Sequence, residues 1–286
     1  VDAATRVDQL AKQFRRRYPD AVAACGQLAD QRGSGTDWPE WCWVPMAAVH
    51  AYATSVSPLG AADIGKIAAL TEWRLGRGVY RLDDEVAETA VRDLWGSAGG
   101  GAAEWERAVL PPLQDWTRLP EWCCYVVWPE HQRPDEASAD GFRPDGVFVH
   151  LEHDYNTGRP ELRLLIDHDG TWEGLEPMPV YLDRPNLGAV GDATANALAG
   201  ARGAVGADLR ALAKPEGPLA LPGLSAWTVL PLALALIDPA ARHIDRDAPA
   251  DRPRPAERGR RGWAPASATR TWTITYDTRP TLRLVR

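Results

Sequence analysis

The tetrapeptide Pro-Glu-Trp-Cys occurs twice in this chain, as Pro39–Cys42 and as Pro120–Cys123. Tryptophan and cysteine are rare and sit best in packed interiors. Their pairing after Pro-Glu at two places marks two anchor points of one fold. The first copy opens an apolar segment, Glu40 to Ser55, that reads as a central helix with Pro39 at its first turn. The second opens Cys123 to Trp128, an aromatic and β-branched run that reads as a strand. Each copy thus stands at the entrance to a buried element, and both read as structural anchors rather than a duplicated active site.

The hydrophobic period changes at the second copy. Upstream, Val7–Arg17, Ala21–Gln31, Ala61–Leu75 and a segment from Asp83 or Asp84 to Trp95 have helical spacing, and Val79–Leu82 reads as extended. Downstream, Gly146–His153 alternates, with Val147, Val149 and Leu151 on one side and Phe148, His150 and Glu152 on the other. The partner strand Glu161–Asp167 returns after the turn Tyr155–Gly158. A turn centred near Asn156-Thr157 sets Glu161 about across from His153, and His168 about across from Gly146. Arg270–Asp277 and Thr281–Val285 read as a second hairpin that joins the sheet near the first. Ala189–Leu212 and Ala226–Ile237 read as helices, the latter capped by Ser225. The expected fold is α+β: a mainly helical region over 1–118, then an antiparallel sheet region over 119–286 with helices packed on one side. Residues 245–262, rich in Arg and Pro, read as a solvated loop.

The 286 residues carry a formal net charge of −7, which argues against a general nucleic-acid binder and suits a basic or amine-bearing partner. No apolar run is long enough to span a bilayer, so no membrane partner is expected. Val1 implies that upstream residues are missing or were trimmed, and no secretory signal segment precedes Arg6. The four cysteines form no C-x-x-C pair and read as free, buried thiols of a cytoplasmic protein.

His150, Glu152, His153 and Asp154 precede the hairpin turn, and Asp167-His168-Asp169 follow the return strand. A shared metal ion is the tempting reading. On this hairpin, however, His150 and His168 stand about 13 Å apart, so no metal ligands, catalytic residues or cofactor are assigned. A metal-dependent hydrolase or nuclease using this hairpin remains the alternative, beside an accessory scaffold of a mobile element. The thirteen tryptophans suggest other work. Trp122, Tyr125, Trp128, Phe148, His150, Glu152, Tyr155 and Trp172 fall in or near the sheet and are the candidate peptide-binding residues. An aromatic beside a carboxylate on one strand face can take an apolar side chain together with an amino terminus or basic group. A helix packed on that face accounts for the same pattern.

Three segments together carry a family resemblance: Trp38–Pro45, Trp73–Asp83 and Leu119–Tyr125. The hairpin Gly146–Asp154 with its return Glu161–Leu165 fits as well. Over residues 38–168 the chain resembles the plasmid- and phage-borne proteins related to the second type V-A anti-CRISPR inhibitor. The resemblance implies a bacterial, non-enzymatic binder. The inhibitor of that family recognises the amino-terminal segment of the nascent CRISPR nuclease and triggers loss of its messenger RNA during translation. Its implied partner is therefore a protein or nascent peptide, in a ribosomal context, with no sequence-specific nucleic-acid contact.

Overall fold

The computed structural model describes residues 2–57, 63–95, 107–129, 144–154, 157–201, 220–245, 253–254, 258–259 and 262–276. Four helices come first: α1 (Ala3–Arg17), α2 (Ala21–Ala29), α3 (Met46–Val56) and α4 (Ile64–Gly76). In α1 the Asp2 side chain accepts from the Thr5 amide, and Arg15, Arg16 and Arg17 occupy the last turn, both favourable to the helix dipole. In α4 every residue from Ile67 to Trp73 is buried. A helix apolar on all sides belongs inside a protein, and here the other three pack around it. Its burial includes one charged residue, Glu72.

Helix α3 starts at Met46, not at Glu40. Pro45 takes an extended conformation as the N-cap, and the residue before a proline is itself disfavoured in a helix. The first Pro-Glu-Trp-Cys is therefore a turn, closed by the Cys42 amide donating to the Pro39 carbonyl at 3.1 Å.

Strand β1 (Gly78–Leu82) follows α4 and lies in the interior of a seven-stranded sheet. The other strands are β2 (Cys123–Val127), β3 (Gly146–His153), β4 (Pro160–Asp167), β5 (Leu175–Tyr181), β6 (Ala241–Asp245) and β9 (Arg270–Tyr276). The order is β5-β4-β3-β2-β1-β9-β6. Residues Arg258–Gly259 (β7) and Gly262–Trp263 (β8) form a separate two-stranded ribbon. The α+β class holds, and the sheet is mixed rather than wholly antiparallel, because β1 runs parallel to both β2 and β9. Strand β9 accordingly sits beyond β1, away from the first hairpin. Its expected partner, 281–285, lies outside the described residues, as does most of 245–262.

The first hairpin has its register centred where the turn was expected. Glu152 faces Glu161 and His150 faces Arg163, one step from the expected pairing of Glu161 with His153. Directly opposed residues share a sheet face, so Glu161 and Arg163 join the face of His150 and Glu152.

Helices cover both faces, not one. Val79, Cys123, Tyr125, Phe148 and Leu165 pack with α1–α4. Tyr80, Cys124, Val126, Val147, Val149 and Leu164 point the other way. There they meet α5 (Asp84–Trp95), the single turn α6 (Leu113–Trp116), α7 (Leu187–Ala201) and α8 (Ala220–Ile237). Ser225 falls inside α8 rather than capping it.

Candidate functional site

The first Pro-Glu-Trp-Cys turn is clamped from behind. The Trp38 indole N–H donates to the Cys42 and Trp43 carbonyls at 3.0 and 3.1 Å. Arg32 reaches the same two carbonyls and lies 5.0 Å over the Trp38 ring. This holds Trp41 half-buried at the surface while Cys42 is fully buried. At the second copy the turn leaves Trp122 half-buried and sends Cys123 inward at the start of β2.

The two turns meet across one pocket of about 230 Å³. Trp41 and Trp122 line it with Trp116, Leu119 and Leu151, and Glu40 and Glu121 supply its carboxylates. Trp116 is fixed by its indole N–H donating to the Pro111 carbonyl at 3.0 Å. Trp122 meets the edge of Trp263 from the ribbon at 6.0 Å, and Trp263 meets Trp43 at 6.1 Å. A second, more open depression at Arg32, Asp37, Trp38 and His153 shares Glu40 with the first. Trp41 packs edge-on against His153 between them, centroids 5.9 Å apart.

The carboxylates differ. Glu40 is exposed. Glu121 is buried, accepting from the Gly78 amide at 3.0 Å. Burial pushes its pKa up to about 7, against the neighbouring Tyr80 hydroxyl and Gly78 amide, which favour the anion. A side chain at Gly76 or Gly78 would strike this carboxylate, which explains the glycines flanking Arg77. Arg77 itself adopts the left-handed conformation at φ 59°, closing α4 with its amide on the Trp73 carbonyl.

Behind the Trp-lined pocket lies a buried polar cluster. His150 Nδ1 stands 3.3 Å from Glu72 Oε2 and 3.4 Å from Glu152 Oε1. All three residues are 1–2 % exposed. Burial raises both glutamate pKa values, Glu152 to about 8, and the Glu152 charge raises Glu72 further. Burial also lowers His150 to about 3, with Arg163 adding to the effect. The cluster reaches the first turn through Cys42, whose Sγ is 4.0 Å from Glu152 Oε2. Each Pro-Glu-Trp-Cys thus presents its tryptophan to the pocket and its cysteine to the interior.

A sequence profile described as the AcrVA2-like, anti-CRISPR type V subtype A2 family matches residues 80–286. The chain belongs to that family. Its fold is also similar to the crystal structure of AcrVA2, with a TM-score of 0.59 at 16% identity, over 92% of this chain and 82% of that one. No curated protein matches the sequence. The family match reaches the C-terminal third, past the 38–168 span of the resemblance, and it begins within β1, so the first Pro-Glu-Trp-Cys lies outside it.

Of the eight candidate peptide-binding residues, Trp122 lines the pocket. Tyr125 and Phe148 are buried against each other, centroids 4.7 Å apart, with Trp73 of α4 edge-on to Phe148. The Tyr125 hydroxyl donates to Asp167 at 2.8 Å. His150 and Glu152 form the buried cluster, so α4 covers the strand face that was expected to receive a ligand. Trp128 is buried on the opposite face. Trp172 stacks on Phe14, with its indole N–H on Asp63. Tyr155 lies outside the described residues. His168 pairs with Glu176 at 3.1 Å, away from His150. Trp41, Trp116, Leu119, Leu151 and Glu40 were missed. The repeat itself was the signal for Trp41, which occupies the same place in its copy as Trp122. Glu72 was missed too, though a lone acid in Ala-Ala-Leu-Thr-Glu-Trp of an apolar helix marks a buried charge needing a partner.

Proposed function

We propose that this anti-CRISPR-like chain is a non-enzymatic binding protein that recognises an N-terminal or nascent peptide of a target protein. It lowers expression of that target through translation-coupled loss of its messenger RNA. The observation that carries the reading is the pocket between the two Trp-Cys turns. Its indoles and aliphatic floor suit an apolar side chain, and exposed Glu40 at the rim suits an adjacent amine or basic group. Membership of the AcrVA2-like family supports the same class of activity. The hydrolase alternative is weakened by position: the His150 cluster is buried beneath α4, without the open approach that a substrate needs.

The test couples binding to translation. Tagged chain is expressed beside a type V-A nuclease reporter, ribosome fractions are collected, and reporter messenger RNA is measured. Enrichment of ribosomes carrying the reporter's amino-terminal segment, with messenger RNA loss, is the expected result. Trp41→Ala and Trp122→Ala should each reduce both. Binding with unchanged messenger RNA would leave a scaffold. Absence of any captured peptide from a folded chain would sink the reading.

A further inference from the structure

Glu72, His150 and Glu152 pose a problem of electrostatics before any question of function. Two carboxyl groups and an imidazole lie together in the interior, each 1–2 % exposed. Both Glu72 oxygens, Glu152 Oε1 and His150 Nδ1 are buried with no hydrogen-bond partner in the protein. Leaving one such group unpaired costs about 1–3 kcal/mol, and here three residues each bring such an atom to one place. Among the described residues this is the one group of His, Cys, Asp and Glu whose ligand atoms all lie within 4.8 Å of one another.

We propose that Glu72, His150 and Glu152 bind a structural divalent metal ion, zinc above all, with the Cys42 thiolate as fourth ligand. The distances suit it. Oxygen and nitrogen ligands about 2.0–2.1 Å from tetrahedral zinc stand roughly 3.3–3.4 Å from each other. The His150 nitrogen is 3.3 and 3.4 Å from the two glutamate oxygens. Cys42 Sγ lies 4.0 Å from the other Glu152 oxygen, Oε2, and outside the 4.8 Å set, so it becomes the fourth ligand by turning toward the ion. The donor chemistry favours zinc over magnesium or calcium, which prefer all-oxygen shells and more ligands. Two carboxylates balance the dication and the thiolate leaves one negative charge, fewer than the ionised cluster would bury without the ion. Backbone amides of Val44, Met46 and His153 face the glutamates and favour their ionised forms, as a ligand set requires. The site is closed, as in structural rather than catalytic zinc centres. It ties together α4, β3 and the first Pro-Glu-Trp-Cys turn, and so holds Trp41 in place at the pocket.

The test uses the full chain, untagged and purified without chelator. Elemental analysis should find about one zinc per chain that survives dialysis. Exchange to cobalt should give the visible ligand-field bands of a tetrahedral site, with a near-ultraviolet sulfur-to-cobalt band that Cys42→Ser removes. A strong chelator should lower the melting temperature by roughly 5–10 °C, restored by zinc. Glu72→Gln and Glu152→Gln, isosteric and free of new charge, should each lose the metal and the chelator response. A folded chain that carries no zinc, takes up none on titration and melts identically in chelator overturns the proposal. The cluster is then a set of buried acids sharing protons, and the Glu72→Gln/Glu152→Gln double variant melts higher than the parent.

Discussion

In the first Pro-Glu-Trp-Cys the glutamate, Glu40, faces solvent at the rim of the pocket. In the second, Glu121 is buried with its carboxylate on the Gly78 amide. The tryptophans behave alike, half-buried on the same pocket, and so do the cysteines, both fully buried. One tetrapeptide therefore yields the same placement at two positions and diverges at the third. The divergence follows the backbone each turn meets. The second turn abuts the α4–β1 junction, where the glycines on either side of Arg77 leave room for a carboxylate and an unpaired amide awaits an acceptor. The first is held instead by Trp38 and Arg32, which satisfy its carbonyls from behind and leave Glu40 outside. The comparison separates a glutamate that braces the fold from one that is free to meet a ligand.

The sharpest way to break that comparison is to fill the space that Glu121 occupies. Gly78→Ala would set a Cβ 2.5 and 2.7 Å from the Glu121 oxygens and 2.7 Å from the Tyr80 ring. Gly78→Ala and Gly76→Ala should each destabilise by about 3 kcal/mol or more, by overpacking and loss of the carboxylate–amide bond. Gly26→Ala in α2, where a Cβ meets nothing within 4 Å, should stabilise by about 0.5–1 kcal/mol. Urea denaturation measures all three, and a tolerated Gly78→Ala would show that the junction is slack.

The next effect is a pH dependence. Burial holds Glu121 at a folded pKa of about 7, above the ordinary glutamate value of 4.5. Between those values the folded chain holds a proton that the unfolded chain has released. Its contribution therefore falls as pH rises from 4.5 to 7 and is flat above, by about 3 kcal/mol across the window. Glu121→Gln keeps an acceptor for the Gly78 amide and has no proton to lose. Its stability curve should lack that part of the slope. Parallel curves for parent and Glu121→Gln would place the titration elsewhere.

Much of this arrangement was legible in local sequence, and the rest depended on contacts that sequence spacing does not carry. The alternation of Gly146–His153 and its return gave a strand pair whose turn centre is where expected, because hairpin pairing is local. Val79–Leu82 read as extended, but its place between β2 and β9 did not, since parallel pairing joins distant segments. The strand face with Phe148, His150 and Glu152 was identified correctly. What covers it, α4, could not be chosen from the pattern, because a ligand and a helix demand the same apolar surface. Helix α3 begins later than its apolar density alone suggests, because Pro45 keeps the residue before it out of the helix. The pocket was anticipated through Trp122 alone. Its other tryptophans come from segments far apart in the chain, and two anchor points of one fold do not by themselves spell two walls of one site.

The remaining predictions test whether those walls act together. Trp41→Ala and Trp122→Ala should each weaken peptide binding by about 10-fold or more, as truncation of a central aromatic anchor does. Trp172→Ala, a buried aromatic remote from the pocket, should lower stability instead and leave the affinity of the folded fraction unchanged. A double-mutant cycle on Trp41 and Trp122 should show coupling, because both indoles line one pocket. Glu40 gives the smallest effect. Its carboxylate is exposed, so Glu40→Gln should change stability by less than about 0.5 kcal/mol. An exposed charge facing a cationic ligand contributes about 1 kcal/mol at most and is screened by salt. Glu40→Gln should therefore weaken a peptide bearing a basic group or free amine only several-fold at low salt, and the gap from the parent should close as salt rises. A neutral peptide should bind parent and variant equally. Titrations by tryptophan fluorescence at two ionic strengths separate these outcomes, and an equal loss for both peptides would mean that Glu40 shapes the rim rather than reading charge.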